Sequence, residues 1–273
     1  MVKRRNVWQY LKDKYRLLTL KRYTTIAGTL VFFLIMSIVP LTFLLTLFVG
    51  KIPFDLEKIL SLPIFESVQD VIQFVQLEAQ KATTGVSIVL LATTLYSSTN
   101  LFYQMRRSGE IIYETHKPKQ GWRIRLGSLV VLLITILMTL VFVVLFTLGG
   151  LFFSRYLSAQ TERIIEYSLL ILLSFSFILL MNMYLCPYKT KTKYFIFGSI
   201  FTTIAWILAV VGFSFYLKIS NMDKLYGALS TIIVFLLWLY VLMNCFIIGV
   251  ILNSEAILKQ NKRTHKNKKI ATK

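Results

Sequence analysis

YGALSTIIVFLLWLYVLMNCFIIGVILNSE, Tyr226 to Glu255, decides what kind of object this chain is. From Ala228 to Leu252 it carries no charged residue. A helix rises about 1.5 Å per residue, so about 20 apolar residues cross a hydrocarbon core. The stretch is long enough to span as a helix. It also holds Trp238, Tyr240, Asn244, Cys245 and Gly249 within about three turns, and closes on Asn253 and Glu255. A plain anchor needs none of these.

Five further apolar runs precede it, at about 25–49, 86–102, 127–153, 167–186 and 194–217. The chain is 56% hydrophobic, above the ~45–50% usual in soluble domains, and its mean hydropathy is +0.67. Run length without strict alternation predicts helices rather than barrel strands. The net charge of +19 is distributed by topology. Eight Lys and Arg precede the first run, six follow the second, three follow the fourth and seven follow the sixth. The three alternate loops together hold seven. That bias predicts both termini in the cytoplasm, and an even number of spans agrees with it.

The expected fold is an all-α polytopic membrane protein. Its parts are six transmembrane helices, an N-terminal interfacial helix, and an amphipathic external segment between helices 1 and 2. The expected organisation is a basic cytoplasmic interfacial arm (1–24), a six-helix membrane domain (25–252) and a basic cytoplasmic tail (253–273). In the arm, Trp8, Leu11, Tyr15 and Leu18 recur at helical spacing among cations, as in helices that lie on anionic leaflets. In the external segment, Val68, Val71, Ile72 and Val75 make a similar stripe.

Chemistry-bearing motifs are missing. No phosphate loop, H-E-x-x-H, C-x-x-C or G-x-S-x-G occurs. The two cysteines and two histidines offer no metal set. The expectation is no enzyme, no catalytic or metal residues, no cofactor, and no nucleic-acid partner. What remains is polar material at membrane depth. Tyr96, Ser97 and Asn100 crowd the second run; Tyr240, Asn244, Gly249 and Asn253 mark the last; Asn182 sits in the fourth. Ser37 precedes Pro40, whose missing N–H predicts a kink. These ten residues either line a substrate path or pack helices through hydrogen bonds. Arg106, Arg107 and Arg123, at inner mouths, are candidates for meeting anionic headgroups.

Several segments together resemble the YihY/BrkB family of bacterial inner-membrane proteins. AGTLVFFLIMSIVPLTFLL (Ala27–Leu45) is similar to its Ser-x-x-Pro-Leu opening, through Ser37, Pro40 and Leu41. LYSSTNLFYQMRRSGEIIY (Leu95–Tyr113) stands where the family has a Ser/Asn-bearing segment leading to a cytoplasmic helix. Pro187, Gly198, Trp206 and Tyr216 follow its pattern, as do Tyr226-Gly227, Trp238-Leu239-Tyr240, Gly249 and Asn253. The family tends to end its last span Gly-Ala-Glu-Leu-Asn; here Ile251 stands at the carboxylate's place. Members have carried a ribonuclease label, but no residue set here suits phosphodiester chemistry.

The resemblance implies a multi-pass protein of the bacterial cytoplasmic membrane, moving lipids or another amphiphile. Expected partners are membrane lipids, anionic ones among them, and a second copy or another envelope protein. The competing expectation is a non-transporting scaffold for cell-envelope machinery, in which the polar residues are packing contacts.

Overall fold

The computed structural model describes residues 16–49, 88–115, 120–156, 159–188, 190–219 and 228–271. Arm residues 1–15 and the external segment, 50–87, lie outside the described residues. Residues 16–20 are helical. Six α-helices follow: α1 (Tyr23–Val49), α2 (Ile88–Ile112), α3 (Gly121–Tyr156), α4 (Ala159–Leu185), α5 (Ile196–Ile219) and α6 (Ala228–Ala271). A short 3-10 turn, Thr192–Tyr194, leads into α5. Among the described residues there is no strand.

Among the described residues, four helices contain stretches long and apolar enough to cross a membrane: Gly121–Phe142, Arg163–Leu185, Ile196–Leu217 and Ile233–Gln260. Tyr23–Ile38 of α1 is a shorter apolar stretch. α2 falls short because Thr, Ser and Asn fill its middle and Arg106, Arg107 and Glu110 its last turns. Its length differs from the sequence expectation. The apolar run ends at Phe102, but the helix continues to Ile112, so both arginines sit on a helix face rather than in a loop. Pro40 lies inside α1, which is helical on both sides of it. α6 passes the last apolar residue and runs on through the basic segment to Ala271.

The helices close a ring in chain order. α1 packs on α2, α2 on α3, α3 on α4, α4 on α5, α5 on α6, and α6 returns to α1. α2 also touches α4 and α6, and Phe102, Met105, Met181, Phe246, Ile247 and Ile251 are all buried. The ring therefore has a packed interior. The outside is apolar: Leu133, Leu137 and Val141 on α3, and Ile204, Leu208 and Phe215 on α5, are exposed. In water such a belt would drive association. Against acyl chains it meets its own kind.

Helix ends are resolved locally. α4 stops at Leu185 because Pro187 supplies no N–H and disfavours a helical Cys186. α2 ends on Glu114 at φ 52°. Thr115 N–H donates to Glu110 O at 3.0 Å and Glu114 N–H to Ile111 O at 3.2 Å, the Schellman arrangement. Lys21 Nζ then reaches Ile112 O and pairs with Glu114 Oε1 at 2.9 Å, tying the residues before α1 to the end of α2.

Candidate functional site

Three polar clusters lie toward one end of the ring, where α1, α3 and α5 begin and α2 and α4 end. The first joins α4, α5 and α6. Gly198 and Gly249 let α5 and α6 touch backbone to backbone: a Cβ on Gly249 would stand 2.7 Å from Gly198 O, closer than real Cβ atoms come. That approach delivers Asn253 to the start of α5, whose first N–H groups have no helical partner. Asn253 Oδ1 accepts from Gly198 N–H at 2.8 Å. Its Nδ2 donates to Asn182 Oδ1 at 2.9 Å and to Phe195 O at 3.2 Å. Asn182 Nδ2 donates in turn to Ile178 O at 3.0 Å and Ser199 Oγ at 3.2 Å. Both asparagines are buried and both amides are engaged. Of the ten path candidates, Asn182, Gly249 and Asn253 thus meet in one node.

The second cluster gathers on α2. Arg125, one turn into α3, lies 4.4 Å from the Tyr96 ring centroid and 4.3 Å from that of Tyr103. Its guanidinium donates to Asn100 Oδ1 at 2.7 Å and to Tyr96 Oη at 3.1 Å. Two aromatic faces and two polar oxygens hold one cation. Ser97 contributes its carbonyl, which accepts from Ser37 Oγ at 3.2 Å and fixes α1 to α2. Tyr240 instead packs on Gly28, and Asn244 Nδ2 donates to Tyr240 O at 2.7 Å. Among the described residues the Tyr96/Asn100 pair and the Tyr240/Asn244 pair make no hydrogen bond with each other; each serves its own helix neighbours.

The third cluster is a cavity of about 270 Å³, lined by Arg106, Arg123, Gly127, Tyr184, Cys186 and Tyr188 among others. Arg106 is only 7% exposed. Its Nη1 donates to Tyr184 O at 2.6 Å and Cys186 O at 2.5 Å, carbonyls at the end of α4 that Pro187 leaves without helical donors. The cation also sits at the negative end of that helix. Close approach is again made by a glycine: a Cβ at Gly109 would collide with the Leu185 backbone. Tyr184 Oη and Ser128 Oγ share a hydrogen bond of 2.9 Å across the wall. Arg123 is exposed at the rim, 5.3 Å from the Trp122 ring centroid. Arg107 does not join them. It pairs with Glu110 Oε2 at 2.9 Å and takes Tyr103 Oη at 3.3 Å. Burial pushes the thiol of Cys186, in the cavity wall, up from its ordinary value, and the phenol of buried Tyr113 well up.

The model of the family described as Virulence factor BrkB matches residues 15–272. The chain belongs to the BrkB family. Its relatives include a UPF0761 membrane protein of Coxiella burnetii (strain Dugway 5J108-111), 26% identical over 182 residues that make 63% of each chain. The same figures hold for strain RSA 493 / Nine Mile phase I. The putative ribonuclease-like protein YfkH of Bacillus subtilis (strain 168) is 25% identical over 275 residues, 93% of this chain and 96% of its own. The chain thus spans 63% of the length of the Coxiella relatives it matches. No solved structure matches. Together with its long apolar helices, membership of the BrkB family makes this a multi-pass membrane protein.

Arg125, Gly109 and Gly198 do not stand among the site candidates read from sequence, although each holds a cluster together. The signal for Arg125 was present: a cation one turn inside α3, beside a run offering Tyr96, Asn100 and Tyr103. Gly198 stood out only through the family pattern, and Gly109 gave no local signal. Among the described residues, no three His, Cys, Asp or Glu side chains converge as metal ligands would.

Proposed function

We propose that this BrkB-family protein spans the bacterial cytoplasmic membrane six times with both termini inside. We propose further that it translocates an anionic lipid or other small amphiphile between leaflets, without ATP hydrolysis of its own and without acting as an enzyme. The observation that carries this reading is the cavity over the end of α4. It joins a buried arginine to a rim arginine beside an apolar outer surface. A lipid headgroup can enter such a site while its chains stay against the outer belt. The six-helix ring and the 24 of 31 cations that fall on alternate loops support the topology. The ribonuclease-like name belongs to the Bacillus relative and is not carried here. The test is reconstitution of the full chain in liposomes with fluorescent lipids of several headgroups. Faster flip of an anionic lipid than in empty liposomes is expected; no acceleration for any headgroup refutes translocation.

A second reading, a non-transporting scaffold for envelope machinery or for a second copy, has its own observation. The amides of Asn182 and Asn253 and the Tyr96/Asn100 pair are already engaged in contacts between helices. Polar residues used in this way act as packing contacts. Alanine at Asn100 separates the two: loss of function at normal abundance favours translocation, loss of abundance alone favours the scaffold.

A further inference from the structure

We propose that the Arg106–Arg123 cavity is a phosphate site, specific for a phosphate group that carries no attached cation, with a lipid headgroup as its source. This deepens the translocation reading by naming the ligand. Arg106 is a buried cation whose acid neighbour on the same helix, Glu110, directs Oε2 to Arg107 at 2.9 Å. No ion pair and no carboxylate contact is made by Arg106 itself among the described residues. Burying an uncompensated charge is costly, and two carbonyl dipoles offset it only in part. Both of those carbonyls accept from Nη1. The other edge of the guanidinium, Nε–H beside Nη2–H, makes no hydrogen bond with a described residue. That edge is the one whose parallel donors match two oxygens of one phosphate.

The lining gives the specificity. It contains two arginines and no acid. A choline or ethanolamine group would bring a third cation into the same space, so zwitterionic headgroups are disfavoured by repulsion. At about 270 Å³ the cavity is smaller than the ~300–1,000 Å³ of drug-sized ligand sites. It takes a headgroup and leaves the acyl chains outside. Tyr184 and Tyr188 border it and would pack against the headgroup's ester end.

The test is titration calorimetry of the full chain in neutral detergent with short-chain phosphatidate, phosphatidylcholine of the same chains, and inorganic phosphate. Arg106 stays in place, because it also holds the end of α4. Arg123→Gln removes the rim charge. Gly127→Leu fills the cavity and leaves both arginines in the chain: a Cβ there meets only Tyr184 Cε2 at 3.9 Å, an ordinary contact. Phosphatidate binding is expected to weaken about tenfold in Arg123→Gln, the loss of one charge-assisted contact. It should vanish in Gly127→Leu. Equal binding of phosphatidate and phosphatidylcholine, or binding unchanged in Gly127→Leu, overturns the site. Inorganic phosphate binding more tightly than phosphatidate supports a phosphate site and overturns its lipid source. Calorimetry is independent of flip: binding without translocation refutes only the transport reading, and flip undiminished by Gly127→Leu refutes only this site.

Discussion

Gly198→Ala tests the α5–α6 crossing directly. The new Cβ would lie 2.5 Å from Asn253 Cγ and Nδ2 and collide with Gly249 O. Clearing the amide alone requires about 0.5 Å of movement to the 3.0 Å floor of real Cβ contacts. Gly249 O is backbone and cannot rotate away, so the helices must part or Asn253 must leave. Overpacking of this kind costs about 1–3 kcal/mol. Expelling Asn253 leaves Gly198 N–H without an acceptor and Asn182 Oδ1 without a donor, at about 1–3 kcal/mol for each buried orphan. Better helix propensity returns about 1 kcal/mol. With Asn253 expelled, the net expectation is a loss of about 1–5 kcal/mol. The assay is SDS titration in mixed micelles, followed by Trp206 emission with the other three tryptophans replaced by Phe. Trp206 suits it because its Nε1–H donates to Leu242 O at 2.8 Å across the same crossing. Gly212→Ala is the control, since nothing lies within 4 Å of its Cβ. Asn253→Ala removes the group in the way. The double variant should therefore lose at least about 1 kcal/mol less than the two single losses together. A Gly198→Ala protein within about 0.5 kcal/mol of the parent, additive with Asn253→Ala, refutes the crossing.

Two further expectations concern the other clusters. Arg125→Ala takes the cation from between Tyr96 and Tyr103 and the donor from Asn100; it should cost about 1–3 kcal/mol in the same titration, with Arg125→Lys in between. A loss no greater than that of Asn100→Ala would mean that the aromatic faces contribute nothing. The Cys186 thiol, raised by burial, stays protonated to higher pH than a free thiol. Its stabilisation is thus full below the unfolded thiol's pKa and is lost as pH rises through the folded value. In a Cys245→Ser background, iodoacetamide labelling of Cys186 should have its pH midpoint above that of the SDS-unfolded chain. Equal midpoints would contradict the burial.

How far the sequence carried depends on the residue. The last apolar run was readable because nothing in it but hydropathy is needed to demand a helix. α2 was read short because Arg106 and Arg107 were taken for a loop; the helix instead runs on through them, and Arg106 is buried against the end of α4. Arg106 and Arg123 were legible as cations at a helix mouth, and Arg107 had the same signal, yet its charge is answered by Glu110 at i+3. Pro187 was legible as a stop, but not that the carbonyls it exposes are met by an arginine 80 residues earlier in the chain.

By itself, then, the sequence determined the class of molecule, its helices and the segregation of its charge. Those properties are local, because hydropathy and backbone hydrogen bonding in lipid act segment by segment. Only the tertiary structure decided partners. Asn182 and Asn253 lie 71 residues apart and meet because Gly198 and Gly249 allow two backbones to touch. Tyr226–Glu255 announced a membrane helix. Which of its polar residues face a neighbouring helix depends on how α6 is rotated against α1, α4 and α5, and no property of one helix alone sets that angle.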